Sequence, residues 1–223
     1  QVGVSRIALK LGHGPIRDVF ARLGLGQPTG TTFPGENGGM LPDRIKWHPT
    51  EQVTLAYGYG LTVTPLQIAR AYTAFANGGV LRPVSMLALD EVPEGHRVMD
   101  AHIADKVMQV LHEVTGDNGT GSRARVPGYR VGGKTGTVHK VGPGGYLDDK
   151  YVALFAGVAP AEDPRVVTVV VIDQPKGDAY GGGAAAAPVF SRVASGVLRL
   201  LDIAPRTGQS VAERESSAGK GAA

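Results

Sequence analysis

The sequence predicts an α+β protein, a mainly antiparallel sheet flanked by helices. Two runs rich in β-branched residues, 151–160 and 165–174, are separated only by Ala161-Glu162-Asp163-Pro164, and a further extended segment around Gly133-Lys134-Thr135-Gly136-Thr137 precedes them. Strands joined by such short connections pair antiparallel. Elsewhere apolar residues recur at helical spacing between proline-led starts and glycine stops. At 223 residues, 42% of them apolar, the chain fits one ordinary domain with a full core.

Val2 to Lys10 reads as the middle of an element, and this abrupt opening predicts a piece of a longer polypeptide. Ile7 to Leu11 leads into a short amphipathic helix over 15–23, with Pro15 suited to the first helical position and Gly24 to the left-handed stop. Residues 24–49 are dense in Gly, Pro, Thr and Asp and predict a long structured loop. A connection of that length covers something or packs on the body of the protein. The clearest helix spans 65–77, with Thr64 as N-cap, Pro65 at N1 and Gly78 at the C-terminal turn. Leu66, Ala69, Thr73 and Ala76 share one of its faces, Ile68, Tyr72 and Phe75 an adjoining one, which predicts that it is mostly buried.

Residues 81–92 read as extended, and Asp100 caps a helix in which Ala104, Val107, Met108, Leu111 and Val114 fall at helical spacing. Residues 115–128 are loop. A final helix over 188–201 sets Val189, Val193, Val197 and Leu201 on one stripe, joined by Phe190, Ala194 and Leu198, which suits packing on a sheet. From Arg206 to Ala223 the chain is rich in Ser, Gly and Ala without periodicity and predicts a disordered tail.

Composition excludes several functions. A net charge of +3, with Lys and Arg scattered and no basic patch interleaved with aromatics, argues against nucleic-acid binding. The absence of cysteine removes disulfides, thiolate catalysis and cysteine-ligated zinc. No window reaches the ~18 consecutive apolar residues of a membrane span. His13, His48, His96, His102 and His112 lack ligand spacing, so no metal is assigned, and no cofactor is expected. Glu51 and Glu113 form no carboxylate pair of the glycosidase kind, so glycosyltransferase activity is not supported. Arg123 and Arg125 read as solvated loop residues able to steer an anion.

The chemistry concentrates in Lys134-Thr135-Gly136-Thr137. On a strand Thr135 and Thr137 point to one face, and the glycine between them permits close approach of another chain. Cation and hydroxyls together make a cradle for a carboxylate beside a reacting carbonyl. Residues 128–135 also fit the phosphate-loop pattern G-x-x-x-x-G-K-[ST]. That loop requires a strand before it and a helix after it, whereas Val126-Pro127 precedes and residues 138–145, with Gly142-Pro143-Gly144-Gly145, cannot start a helix. Context therefore excludes the nucleotide reading.

Lys134-Thr135-Gly136-Thr137, the stretch Thr54 to Gln67, and Gly119-Thr120-Gly121 followed by Val126-Pro127-Gly128-Tyr129 together resemble the penicillin-binding transpeptidases, specifically the class B, division-type enzymes of Gram-negative bacteria. The resemblance covers roughly residues 2–201 and implies the fold shared by these enzymes and the serine β-lactamases, with residues 1–205 as the C-terminal part of the transpeptidase domain. It implies no added cofactor and a serine acyl-enzyme that cross-links peptidoglycan stem peptides and is the target of β-lactams. In that family a Ser-x-x-Lys motif supplies the nucleophile and a Ser-x-Asn motif a relay serine. Ser217-Ala218-Gly219-Lys220, in the tail, matches the first only by chance, and no Ser-x-Asn occurs. Val2-Gly3-Val4-Ser5 resembles the residues just past the relay motif, which puts Gln1 at its asparagine position and both serines upstream.

By the same resemblance Lys134 adds positive potential near the relay serine, Thr135 and Thr137 hold the substrate carboxylate, and the Thr137 backbone N–H contributes to the oxyanion hole, with Gly136 between them. Tyr59, with Tyr57 just ahead of the 65–77 helix, borders the cleft, although both also read as core aromatics. Tyr180, ahead of Gly181-Gly182-Gly183, reads as part of an apolar wall on a flexible loop or as a plain loop aromatic. His139, two residues beyond Thr137, falls on the same face as a substrate contact or a solvated strand-end histidine. Implied partners are the stem peptide, β-lactams, the upstream segment of the polypeptide and other cell-division proteins, with the domain periplasmic and anchored in the inner membrane by an N-terminal helix. A β-lactam hydrolase or sensor on the same fold, or a non-catalytic divisome scaffold, carries the same motifs.

Overall fold

A computed structural model describes residues 2–177 and 179–205. The order of elements is α1 (Val2–Leu11), α2 (His13–Arg22), α3 (Pro49–Leu55), α4 (Pro65–Ala76), β1 (Val80–Leu81), β2 (His96–Arg97), α5 (Ala101–Glu113), a short 3-10 turn (Ser122–Ala124), β3 (Gly132–Gly142), β4 (Gly145–Ala159), β5 (Val166–Asp173) and α6 (Gly182–Leu200). The chain divides into two compact units, one ending at Met108 and one beginning at Gln109. Gln1, the Ser217–Lys220 match and the predicted tail over 206–223 lie outside the described residues.

In the first unit α2 begins at His13, two residues before the predicted start. Pro15 still falls in the first turn, where no intrahelical N–H bond is lost. Gly24, at φ 82°, ends the helix as expected, with the Leu25 amide donating to the Phe20 carbonyl at 3.0 Å. At α4 the Thr64 hydroxyl accepts from the Gln67 amide (3.2 Å) while Gln67 Oε1 accepts from the Thr64 amide (2.8 Å), a reciprocal cap on the predicted Thr-Pro start.

The buried face of α4 differs from the predicted one. Gln67, Ala71 and Ala74 are buried, whereas Leu66 is exposed. Gln67 is buried because its Nε2 donates to the carbonyls of Gln27 and Gly38, both at 2.7 Å. These bonds fasten the 24–49 loop to the body, and that satisfaction removes the penalty of burying an amide. A second clasp closes within the loop, where Glu36 Oε1 accepts from the Thr29 amide (2.7 Å) and hydroxyl (2.5 Å) and Oε2 from the Thr31 hydroxyl (3.2 Å). Helix α3 is not legible in the sequence. Its single buried residue, Leu55, gives no stripe to read. The extended reading of 81–92 also fails: only Val80 and Leu81 pair, with Arg97 and His96, because Pro83 and Pro93 lack the N–H a ladder needs.

The second unit carries the predicted sheet, antiparallel in the order β3-β4-β5, with Thr135 opposite Phe155 and Phe155 opposite Val170. Both β3 and β4 are longer than predicted. They continue through His139 and Tyr151 to a hairpin at Gly142 and Gly145, with a register shift between His139 and Val141. Residues 133, 135, 137, 153, 155 and 157 line one face, and α6 packs there, its Phe190 against Phe155 at 4.8 Å between ring centroids.

Helix α6 starts six residues before the predicted Pro188, which it carries internally. Packing of Ala186, Ala187, Phe190, Ala194 and Leu198, all fully buried, outweighs the lost helical bond. Of the apolar stripe expected there, Phe190, Ala194 and Leu198 are buried, but Val193 and Leu201 are exposed. Ala104, Met108 and Leu111 of α5 are buried, as the spacing predicts.

Phe190→Ala should lower unfolding stability by about 3–5 kcal/mol, the cost of an aromatic cavity in a closed core, and a urea denaturation midpoint unchanged from the parent would refute the packing of α6 on the sheet. The hydrogen bonds from the Thr29 hydroxyl and amide, the main causes, hold the Glu36 carboxyl below its ordinary 4.5. A depressed folded value gives stability that is present above 4.5 and lost as pH falls through the folded value. Glu36→Gln should therefore lower the urea midpoint in neutral solution and converge on the parent in acid; an equal difference in both would show that the carboxylate charge is not what the loop uses.

Candidate functional site

Strand β3 is the edge of its sheet among the described residues, with β4 on one side only. Thr135 and Thr137 project from the face on which α6 packs. Lys134 alternates to the opposite face, is exposed, and bends its Nζ back to donate to the Thr135 carbonyl at 2.9 Å. Gly136 lies between them with no room for a side chain, since a Cβ there would sit 2.7 Å from Leu154 Cγ.

The second component is the start of α6. Gly181-Gly182-Gly183 is not a flexible loop: Gly181 is the N-cap and Gly182 the first helical residue. The Gly182 amide donates to Thr137 Oγ1 at 3.0 Å. A Cβ on Gly182 would collide with the carbonyl oxygens of Gly136 and Leu154, and one on Gly183 with the Thr120 carbonyl. Only glycine lets the helix end come down onto the strand. The first amides of a helix have no intrahelical acceptor and carry its positive dipole end, so this one serves Thr137. Because Thr137 Oγ1 accepts from it, the hydroxyl hydrogen remains free to donate.

Thr120 is a site residue that sequence reasoning misses. Its hydroxyl lies 3.1 Å from Thr135 Oγ1. The available signal is its place between two glycines ahead of the lysine strand; nothing in spacing shows that a residue fifteen positions upstream meets Thr135.

His139 stands further along the same face, within a column of rings. It stacks on Tyr146 (5.1 Å, 12°) and Tyr151 (4.6 Å, 13°), and Tyr151 stacks on Tyr180 (4.1 Å, 17°). Its Nε2 is buried without a hydrogen-bond partner among the described residues, so it is not a solvated strand-end side chain. Desolvation, then the neighbouring Tyr180, Asp149 and Asp148, raise the Tyr151 phenol above its ordinary 10. Tyr180 is 43% exposed at the end of the column. Lys134, Thr135, Gly136, Thr137, His139 and Tyr180 thus share one unit. Tyr59 lies in the other, half-buried and edge-on to Tyr57 at 5.9 Å.

No group of three or more metal-ligating side chains converges among the described residues. An ammonium and hydroxyl hydrogens along one open strand edge suit an oxyanion or carboxylate.

Comparison with known proteins agrees with this geometry. Residues 1–195 match the family model described as penicillin binding protein transpeptidase domain. The chain is 43% identical over 205 residues to peptidoglycan D,D-transpeptidase FtsI of Escherichia coli K12, covering 92% of this chain and 35% of that protein. It is 41% identical over 205 residues to the probable peptidoglycan D,D-transpeptidase PenA of Neisseria meningitidis, with the same coverage of 92% and 35%. The chain therefore spans about a third of the length of these relatives. Among solved structures, the transpeptidase domain of Burkholderia pseudomallei penicillin-binding protein 3 superposes with TM-score 0.86 at 40% identity, over 93% of this chain and 63% of that one.

Gly182→Ala should lift the start of α6 from β3, since its methyl meets the carbonyls of Gly136 and Leu154. The expected result is loss of slow hydrogen exchange at the Gly182 amide and a lower melting temperature. Unaltered exchange and melting would show that the contact has slack.

Proposed function

Because the chain belongs to the penicillin-binding protein transpeptidase family, we propose that residues 1–205 are the C-terminal part of a peptidoglycan D,D-transpeptidase domain and that β3 is its substrate strand. The observation that carries this reading is the edge strand bearing Lys134, Thr135 and Thr137, with the Gly182 amide holding Thr137 Oγ1 at 3.0 Å. The substrate is the D-Ala-D-Ala end of a peptidoglycan stem peptide, and β-lactams occupy the same cradle as mimics. The polypeptide carries the nucleophilic and relay serines upstream of Gln1.

The reaction is acyl transfer in two steps. The serine oxygen attacks the penultimate carbonyl, the peptide bond breaks, and the terminal D-Ala leaves with the proton on its amine. An amine of a neighbouring stem peptide then attacks the ester, forms the cross-link and releases the serine. Thr135 and Thr137 donate their hydroxyl hydrogens to the terminal carboxylate. Lys134 contributes positive potential beside the relay serine and draws the carboxylate in. The Thr137 backbone N–H and that of the serine stabilise the tetrahedral oxyanion, where one such donor is worth about 3–4 kcal/mol. Gly136 keeps the strand close to the substrate, Tyr180 forms part of an apolar wall beside it, and His139 is a further substrate contact.

The same reading places the domain in the periplasm, anchored in the inner membrane by an N-terminal helix outside these residues, in company with other cell-division proteins. Among the described residues no helix is long and apolar enough to cross a membrane.

Lys134→Ala, made in the polypeptide that also carries the serine, should slow acylation by a fluorescent penicillin by at least about 10²-fold, the usual cost of a positioned electrostatic or acid-base group. Circular dichroism should be unchanged, because Lys134 is exposed. Acylation within about threefold of the parent would remove Lys134 from the mechanism.

A further inference from the structure

Thr120 stands in a setting that fixes its position closely. Gly119 and Gly121 flank it, and neither tolerates a side chain: a Cβ on Gly119 would strike the Val114 carbonyl, and one on Gly121 would lie 2.9 Å from Phe155 Cε2. The Gly121 amide donates to the Val114 carbonyl at 2.9 Å. Arg125 braces the same turn, donating from Nε to the Thr115 carbonyl at 2.7 Å and pairing with Asp117 at 2.7 Å. On the other side Gly183 approaches the Thr120 carbonyl too closely to admit a Cβ. The result is a hydroxyl 3.1 Å from Thr135 Oγ1.

We propose that Thr120 is a positioning residue for carboxylate recognition, acting through Thr135: its hydroxyl donates to Thr135 Oγ1, so that Thr135 turns its own hydrogen to the substrate carboxylate. The inference rests on the reading of β3 as the carboxylate-binding strand. A threonine oxygen has one hydrogen to give, and the Thr120–Thr135 bond can run in either direction. An anion in front of Thr135 accepts and cannot donate, which selects the direction from Thr120 to Thr135. The hydrogen bond received from Thr120 then polarises the Thr135 hydroxyl and strengthens the bond it makes.

Thr137 is arranged the same way, with the Gly182 amide as the donor behind it. Both hydroxyls are therefore backed by donors and present hydrogen to the ligand. An anion gains from both, whereas a neutral ester offers only weak acceptors. Thr120 thereby helps the site prefer a free carboxylate over its uncharged derivative.

The test uses the polypeptide that carries both the nucleophile and this chain, with benzylpenicillin and its methyl ester as probes. Thr120→Val should slow acylation by benzylpenicillin by about three- to tenfold, the range of one hydrogen bond's net worth. The ester should react with variant and parent alike, and Thr120→Ser should restore the parent rate. In a Thr135→Val background the further Thr120→Val change should have no effect, since Thr120 acts only through Thr135. A Thr120→Val rate equal to the parent, with Thr135→Val impaired, overturns the role of Thr120 and leaves the strand assignment standing. Equal losses for the two probes, or full additivity with Thr135→Val, overturn it as well by showing only a disturbed loop. If Thr135→Val itself does not discriminate between acid and ester, the assignment of the strand falls, and this inference falls with it.

Discussion

The contact on which the rest of the site depends is the descent of the α6 N-terminus onto β3. Gly182 sits where any side chain would overlap the carbonyls of Gly136 and Leu154, and from there its amide reaches Thr137 Oγ1 at 3.0 Å. Two turns further along, Phe190 closes over Phe155 and Gly157, and Ala194 and Leu198 complete the buried stripe. Burial of each large side chain stabilises the unit by about 1.5–3 kcal/mol, enough in sum to hold one amide in a fixed place despite an internal proline. Core and site are thus built from the same helix, which orders the open edge of β3 from behind.

Edge strands invite unwanted pairing, and a lysine on the edge is a common deterrent. Lys134 fills that structural part as well as the proposed catalytic one, because its ammonium lies on the Thr135 carbonyl and sets a charge along the open side of the strand. Alternation separates the two tasks of β3. The threonine face meets α6 and the 115–121 turn, while the lysine reaches the edge from the opposite face. A substitution that shifted the register by one residue would exchange these sets completely.

The hairpin beyond the site has its own logic. Tyr146, His139, Tyr151 and Tyr180 stack in that order, joining the β3–β4 hairpin to the segment that leads into α6. The stack rigidifies an otherwise exposed, glycine-bounded ribbon, and desolvation within it raises the Tyr151 phenol. His139 carries its unpartnered Nε2 within that stack. Its placement depends on the ring neighbours that the hairpin register brings to it, and strand alternation by itself supplies only the face.

The sequence by itself determined what is governed by local pattern. The antiparallel order of three strands, the Thr64-Pro65 start and Gly24 stop, and the shared face of Thr135, Thr137 and His139 all arise from turn chemistry and a period of two. Tertiary structure decided what depends on distant partners. Gln67 is buried because the carbonyls of Gln27 and Gly38 come to meet it, and no periodicity anticipates that. The helix over 182–200 begins at glycines that resemble a loop, because their helical state is stabilised by the strand beneath them rather than by propensity. Thr120 reaches Thr135 only once the turn closes. A hydrogen bond between side chains far apart in sequence is a product of folding, and the residues that make it carry no mark of it beforehand.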